Sequence, residues 1–182
     1  MKELSLNILD VTKNSVTAGA KNIVVSLVTD KDGWLTLTIK DDGCGMSEET
    51  VRNVTDPFYT TRTTRKVGMG LPLLKLAAEQ AGGTLSLESS KGETDHGTVV
   101  TATFDTRSID FTPLGDIAST MCILIAGSPE IDFFFSDVSE KGEVRLETPE
   151  LRAVLGDGIS LAEPEIQLWI EEYLREQYEA VK

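Results

Sequence analysis

The sequence predicts an α/β sandwich followed by a C-terminal α/β extension, and three observations predict it. Apolar residues at helical spacing (Leu4, Ile8 and Val11, then Leu71 to Ala81) alternate with β-branched or strictly alternating runs (Asn22 to Thr29, Trp34 to Lys40, Val99 to Phe104), the pattern of helices layered on a sheet. The 182 residues, 40% hydrophobic, can bury a core as one domain with an appendage or as two small domains. Charge divides the chain: residues 1–105 hold 11 Lys+Arg against 14 Asp+Glu, and residues 106–182 hold 6 against 16. A first unit is therefore expected over 1–105 and an acidic extension over 106–182, with packing of the second on the first as the plainer reading.

Residues 3 to 18 predict an amphipathic helix on which Asp10 and Asn14, four apart, share a face. A carboxylate and an amide oxygen so placed can order a water and hold Mg²⁺, which takes hard oxygen ligands and keeps several waters. An isolated Asp-x-x-x-Asn is more often a solvated polar face, so the pair takes its meaning from its company. Thr17-Ala18-Gly19-Ala20 stops the helix, and Asn22 to Thr29 with Trp34 to Lys40 predict a hairpin turned at Lys31-Asp32-Gly33.

The second strand runs directly into Asp41-Asp42-Gly43-Cys44-Gly45-Met46. A carboxylate at a strand end can accept a directed hydrogen bond, and glycines there let backbone approach a flat ring with no Cβ in the way. Ser47 is the expected N-cap of a short helix over Glu48 to Val54, ended by Asp56-Pro57-Phe58. Tyr59 to Val67 holds four threonines, Arg62, Arg65 and Lys66 without an apolar stripe, the composition of a lid that orders over bound phosphates. Gly68-Met69-Gly70-Leu71 then opens a helix, with Pro72 in its first turn, and offers free N–H groups and a positive dipole end to phosphate. One glycine motif suits a base, the other its phosphates.

Gly82-Gly83 stops that helix, and Thr84 to Glu88 and Val99 to Phe104 predict strands around a polar loop, Lys91 to Gly97. His96, the one histidine, is expected there as an exposed side chain rather than a catalytic one. In the extension, Leu114 to Ala126 predicts a buried helix, Ile131 to Val138 and Gly142 to Thr148 a strand pair, and Pro164 the start of a long helix with the stripe Ile166, Ile170 and Tyr173 and with Glu171, Glu172 and Glu176 exposed. No motif there carries chemistry. The region completes the core, or Trp169 and Tyr173 dock a partner protein.

Four segments in fixed order resemble the Bergerat ATP-binding fold of the GHKL superfamily, shared by gyrase-type topoisomerases, the Hsp90 chaperone, histidine kinases and MutL mismatch-repair proteins. They are Asp10-x-x-x-Asn14, Asp41 to Gly45, Asp56-Pro57-Phe58-Tyr59-Thr60-Thr61-Arg62, and Gly68-x-Gly70-Leu71, with Gly97-Thr98 matching a last patch. The resemblance covers about residues 3 to 105. It is closest to histidine-kinase catalytic domains, through Pro57 to Arg62, the short lid and the run through Gly82-Gly83. Similarity to MutL is confined to Asn14-Ser15, Ala18 to Ile23 and Asp41 to Gly45.

This resemblance implies a two-layer sandwich, a mixed sheet with helices on one face. It implies that Asp41 bonds the adenine exocyclic amine, with Gly43, Gly45 and Met46 in the same binding set. Asn14 would hold Mg²⁺ against the phosphates, and Gly68 and Gly70 would close over them, with Met69, Leu71 and Thr98 in the set. Arg62, Arg65 and Lys66 are the candidates for neutralising phosphate charge. Asp10 stands where the family often carries a longer Glu as activating carboxylate, and is the catalytic candidate.

ATP and Mg²⁺ are thus the expected cofactors. The family's acceptor histidine lies on a helical pair ahead of the catalytic domain, whereas this sequence starts at the first box. The expectation is a histidine-kinase-like phosphotransferase acting on a partner protein in trans, with an anti-sigma-factor-like serine kinase or an ATP-gated, non-catalytic interaction switch as alternatives. Two cysteines, Cys44 and Cys122, build no disulfide framework or zinc site. Met1 to Ser5 lacks the apolar core of a signal peptide, and the run Met121 to Ala126 is too short to span a bilayer. A cytoplasmic signal-transduction protein follows, without nucleic-acid or membrane partners given the acidity of the extension; oligomeric state is left open.

Overall fold

The computed structural model describes residues 3–56 and 69–182. Its first half runs α1 (Leu4–Thr17), β1 (Asn22–Thr29), β2 (Trp34–Asp41), α2 (Glu48–Asn53), α3 (Gly70–Gln80), β3 (Leu85–Lys91) and β4 (His96–Asp105). The second adds α4 (Ile117–Gly127), β5 (Asp132–Ser139), β6 (Gly142–Glu147), α5 (Thr148–Leu155) and α6 (Pro164–Ala180). All six strands join one sheet in the order β3-β4-β2-β1-β5-β6. Every neighbouring pair is antiparallel except β1 with β5, which are parallel with Val25 opposite Phe135, so the sheet is mixed.

Alternation along the strands decides which face is covered. Ile23, Val25 and Leu27 of β1, Leu35, Leu37 and Ile39 of β2, Val100, Ala102 and Phe104 of β4, and Phe133 and Phe135 of β5 all point to one buried face. The helix layer follows the strand order: α3 lies on β3 and β4, α1 between α3 and α4, and α6 between α4 and β6. On the other face Ser26, Thr36, Thr38, Thr101, Thr103 and Ser136 stay half-buried and carry no helix of that layer, which makes a two-layer sandwich.

Local chemistry explains the element ends. Ser47 caps α2 by accepting from the Thr50 N–H, and Asp116 caps α4 by accepting from the Ser119 N–H at 3.1 Å. α1 has no side-chain cap; its Leu4 and Ser5 N–H groups donate to the carbonyls of Pro113 and Leu114, both at 2.9 Å. The chain leaving β4 therefore finishes the first helix. On α6 the buried pair is Ile170 and Leu174, each contributing about 1.5–3 kcal/mol of apolar burial. Tyr173, expected in that stripe, faces solvent, because Leu174 one position on carries the turn inward.

Three more points differ from the sequence-based expectation. β3 and β4 continue through polar residues, since ladder pairing of Ser89 with Thr98 and Lys91 with His96 needs no apolar side chain; the polar loop shrinks and His96 starts β4. The α4 helix begins at Ile117 rather than Leu114. α5 has no counterpart in the sequence reading: it is short, with Pro149 in its first turn, and Arg152 holds it by an ion pair to Asp132 and hydrogen bonds to the carbonyls of Pro129 and Ile131.

β6 is an outer strand, and its edge is closed locally. The Gln177 carboxamide accepts from the Arg145 N–H and donates to the Arg145 carbonyl, both at 2.9 Å, standing in for a neighbouring strand.

Candidate functional site

The site is built around the C-terminal end of β2. Asp41 is the last residue of that strand, on the helix-covered face beside Ile39, and is buried. Its Oδ2 accepts the Ser15 hydroxyl of α1 at 2.5 Å, and its Oδ1 accepts the Gly43 N–H at 2.9 Å. Both oxygens are thereby fixed in direction while retaining lone pairs for a further donor.

The following turn exists because glycine occupies it. Gly45 has φ +73°, and a Cβ there would fall 1.8 Å from the Ser90 carbonyl oxygen. Gly97, opposite, has φ +140°, and a Cβ would fall 2.2 Å from the Asp41 carbonyl oxygen. The turn is pinned by Cys44 N–H to the Ala18 carbonyl at 2.9 Å, by His96 Nδ1–H donating to the Gly43 carbonyl at 2.7 Å, and by Met46 N–H to Ser89 Oγ at 2.8 Å. Ser89 Oγ also lies 2.8 Å from Thr98 Oγ1, and Thr98 pairs with Asp41 in the β2–β4 register. A groove lined by Glu48, Val51, Arg52, Leu87, Glu88 and Ser89 opens beside this turn, between α2 and β3.

Asp42 points the other way. Burial works against its charge, but the Asn22 side-chain amide and the N–H groups of Asn22 and Lys21 outweigh it and hold its carboxyl below the usual range. It ties the end of β2 to the start of β1.

α1 links this end to the second glycine motif. Asn14 and Asp10 are exposed on it, Asn14 adjoining Ser15. Gly70 opens α3 against Asp10 and Val11: a Cβ on Gly70 would lie 3.4 Å from the Asp10 Cβ, ordinary contact. The five residue steps from Asp10 to Ser15 correspond to a rise of about 7.5 Å along one helix. One rigid rod thus spaces a fixed carboxylate from a helix N-terminus, with an exposed carboxylate and amide between them. Among the described residues no cluster of three or more His, Cys, Asp or Glu stands ready for a metal ion.

The expected residues are thus brought together in two groups, Asp41, Gly43, Gly45, Met46 and Thr98 at the strand end, and Asp10, Asn14 and Gly70 along α1. Met69 precedes α3 and is exposed, whereas the Leu71 side chain is buried in the core and only its backbone can face outward. Arg62, Arg65, Lys66 and Gly68 lie outside the described residues. Sequence reasoning missed Ser15, Ser89 and the anchoring of His96. Ser15 carried a usable signal, one step beyond Asn14 and a turn beyond Val11 on the buried side of the helix.

Residues 1–108 match the family described as histidine kinase-, DNA gyrase B-, and HSP90-like ATPase. Sporulation kinase C of Bacillus subtilis (strain 168) is 32% identical over 94 residues, which is 51% of this chain and 21% of that protein. Sensor histidine kinase CpxA of Escherichia coli (strain K12) is 33% identical over 86 residues, 44% of this chain and 19% of that protein. The chain therefore spans about a fifth of the length of these relatives. In fold, it is similar to the Aquifex aeolicus MutL ATPase domain complexed with ADP (TM-score 0.54, 16% identity, 85% of this chain and 69% of that one). It is also similar to the N-terminal domain of a DNA repair protein (TM-score 0.58, 14% identity, 87% and 58%).

Proposed function

Starting from the histidine kinase-, DNA gyrase B-, and HSP90-like ATPase family, to which this chain belongs, we propose that it binds Mg-ATP and acts as a histidine-kinase-like phosphotransferase on a partner protein in trans. The observation that carries the reading is the Asp41 carboxylate, fixed at the end of β2 by Gly43 and by Ser15, which shares α1 with Asp10 and Asn14, while Asp10 lies beside the α3 N-terminus.

These residues fit the nucleotide. Gly43 and Gly45 let the turn after Asp41 pack against Ala18 and Ser90, and Asp41 at the start of that turn accepts from the exocyclic amine of the base. The start of α3 offers Gly70 and Leu71 N–H groups to phosphate oxygens. Asn14 would hold Mg²⁺ through its amide oxygen, and the bound ion would neutralise phosphate charge, the chief demand of phosphoryl transfer. Asp10, beside Gly70, is the carboxylate that would take a proton from an attacking hydroxyl or water. His96, the one histidine in the sequence, starts β4 with its Nδ1–H on the Gly43 carbonyl, and the proposal places the phosphoacceptor on the partner protein. A cytoplasmic setting fits two unpaired cysteines, and no helix among the described residues is long and apolar enough to cross a membrane.

The test is the fate of the terminal phosphate. Incubated alone with terminally labelled Mg-ATP, the protein should bind, gaining about 2.7 kcal/mol of stability at a hundred times Kd, and leave the label on ATP. Steady release of labelled phosphate that disappears in Asp10→Ala would replace the reading with an ATPase. A second reading, an ATP-gated switch, is favoured by the capping of α1 by Pro113 and Leu114, which joins the site to residues 106–182. Nucleotide-dependent complex formation with no label on the partner would select it.

A further inference from the structure

The outer face of α6 carries more than the sheet requires. Trp169 and Tyr173, one turn apart, lie ring on ring with centroids 5.0 Å apart and planes within 9°, yet remain 48% and 38% exposed. Glu165, Glu172 and Glu176 fall at the same helical spacing, one turn before Trp169 and one and two turns after it, and all are exposed. Among the described residues none of the three makes an ion pair. The bases nearby are already committed: Arg175 to Glu171 and Asp116, Arg145 to Glu147 and Glu150, Lys182 to Glu179.

The face is therefore two stacked aromatic rings framed by three uncompensated carboxylates, on a half of the chain holding 6 Lys+Arg against 16 Asp+Glu. Ring faces and carboxylates attract the same species, a Lys or Arg side chain, and reject anions. A second copy of this chain would bring carboxylate onto carboxylate, at −13 overall, so self-pairing on this face is disfavoured. Addition of a strand at the neighbouring β6 edge is blocked where Gln177 occupies the Arg145 backbone. What remains is a helix-face contact.

We propose that the Trp169–Tyr173 face of α6 docks a cationic amphipathic segment of a partner protein, seating an Arg or Lys against the rings and between Glu165, Glu172 and Glu176. Recognition here is independent of the nucleotide site: it uses no residue of α1, β2 or α3. It supplies the partner contact that a catalytic centre in the first half leaves unspecified.

The probe is a set of synthetic helical peptides of about five turns, sharing one apolar face and carrying Lys/Arg, Glu or balanced charge on the other. Each is fluorescently labelled and titrated with this chain by anisotropy. The cationic peptide should bind, weakening roughly tenfold or more in Trp169→Ala/Tyr173→Ala, in Glu165→Gln/Glu172→Gln/Glu176→Gln, and on raising salt. These positions are exposed, so unchanged thermal melts will certify the variants as folded. The proposal is overturned if cationic and acidic peptides bind alike, if the cationic peptide binds the aromatic double variant as well as the parent, or if none of the peptides binds. It is equally overturned if the free chain is a dimer that the double variant dissociates, which would make a second copy the occupant.

Discussion

Ser15 and Asp41, 26 residues apart, share a 2.5 Å hydrogen bond in which a buried hydroxyl on α1 fixes the carboxylate that ends β2. With the Gly43 N–H on the other oxygen, the carboxylate accepts two donors from its own chain. Asp41→Asn keeps the shape but replaces one acceptor by an NH₂ group that meets a donor. Adenine nucleotide affinity should fall roughly 10- to 100-fold, about 1.5–3 kcal/mol for a hydrogen bond to a charged group. Equal affinity in a calorimetric titration would remove Asp41 from the base-binding role.

Two glycines of similar appearance should respond in opposite ways. Gly45→Ala places a methyl 1.8 Å from the Ser90 carbonyl oxygen at φ +73°, so it should cost several kcal/mol, with a melting temperature lower by about 2–4 °C for each. Gly70→Ala meets nothing closer than 3.4 Å and should fold as well as the parent. If phosphate lies against the start of α3, Gly70→Ala should still weaken ATP more than adenosine. Equal loss for both ligands would argue against that placement.

Asn7 and Thr12 of α1 are buried, and Asn7 Nδ2, Asn7 Oδ1 and Thr12 Oγ1 find no hydrogen-bond partner among the described residues. Burying such groups unpaired costs about 1–3 kcal/mol each. Thr12→Val, nearly the same shape without the hydroxyl, should be neutral or stabilising by about 1 kcal/mol in urea unfolding. A clear destabilisation would mean the hydroxyl has a partner in solution.

Asp137 sits on the helix-covered face of β5, where burial raises its pKa while the Tyr178 hydroxyl, donating at 2.7 Å, opposes the rise. Because its folded pKa lies above the unfolded value of 3.8, its favourable contribution is complete below that value. That contribution is lost as pH rises through the folded pKa. At neutral pH the group is a liability. Asp137→Asn, which keeps an acceptor for Tyr178, should raise the melting temperature at pH 7 by an amount that shrinks toward zero as pH approaches 4. A gain independent of pH would locate the effect in packing instead.

What was legible in the sequence was whatever depends on neighbours a few residues away. The α1 spacing, the Lys31-Asp32-Gly33 hairpin, the Ser47 cap and the strand-to-glycine transition at Asp41 are all local, and all appear as expected. Long-range events were not legible. Nothing near Gln167 or Leu174 says which face of α6 meets α4, so Tyr173 was placed inward. The polar ladder of Ser89 and Thr98 is stabilised by a partner strand, not by its own composition, so β3 and β4 were read short. Ser15 was legible as a buried polar residue of α1, but its role depends on a carboxylate brought to it by the sheet.

The parallel pairing of β1 with β5 has a consequence for biosynthesis. Ser26 and Ser136, neighbours in the sheet, are 110 residues apart, so β1 leaves the ribosome with one edge soon covered by β2 and the other bare. At typical elongation rates that gap lasts roughly 5 to 20 s. Throughout it, Ile23 to Val28 offers an apolar, β-branched template to any other nascent strand. A fragment ending at residue 105 would keep that edge for its lifetime and should aggregate on purification where the whole chain does not. Sedimentation of the two side by side would decide whether the late-arriving strand acts as this chain's own shield.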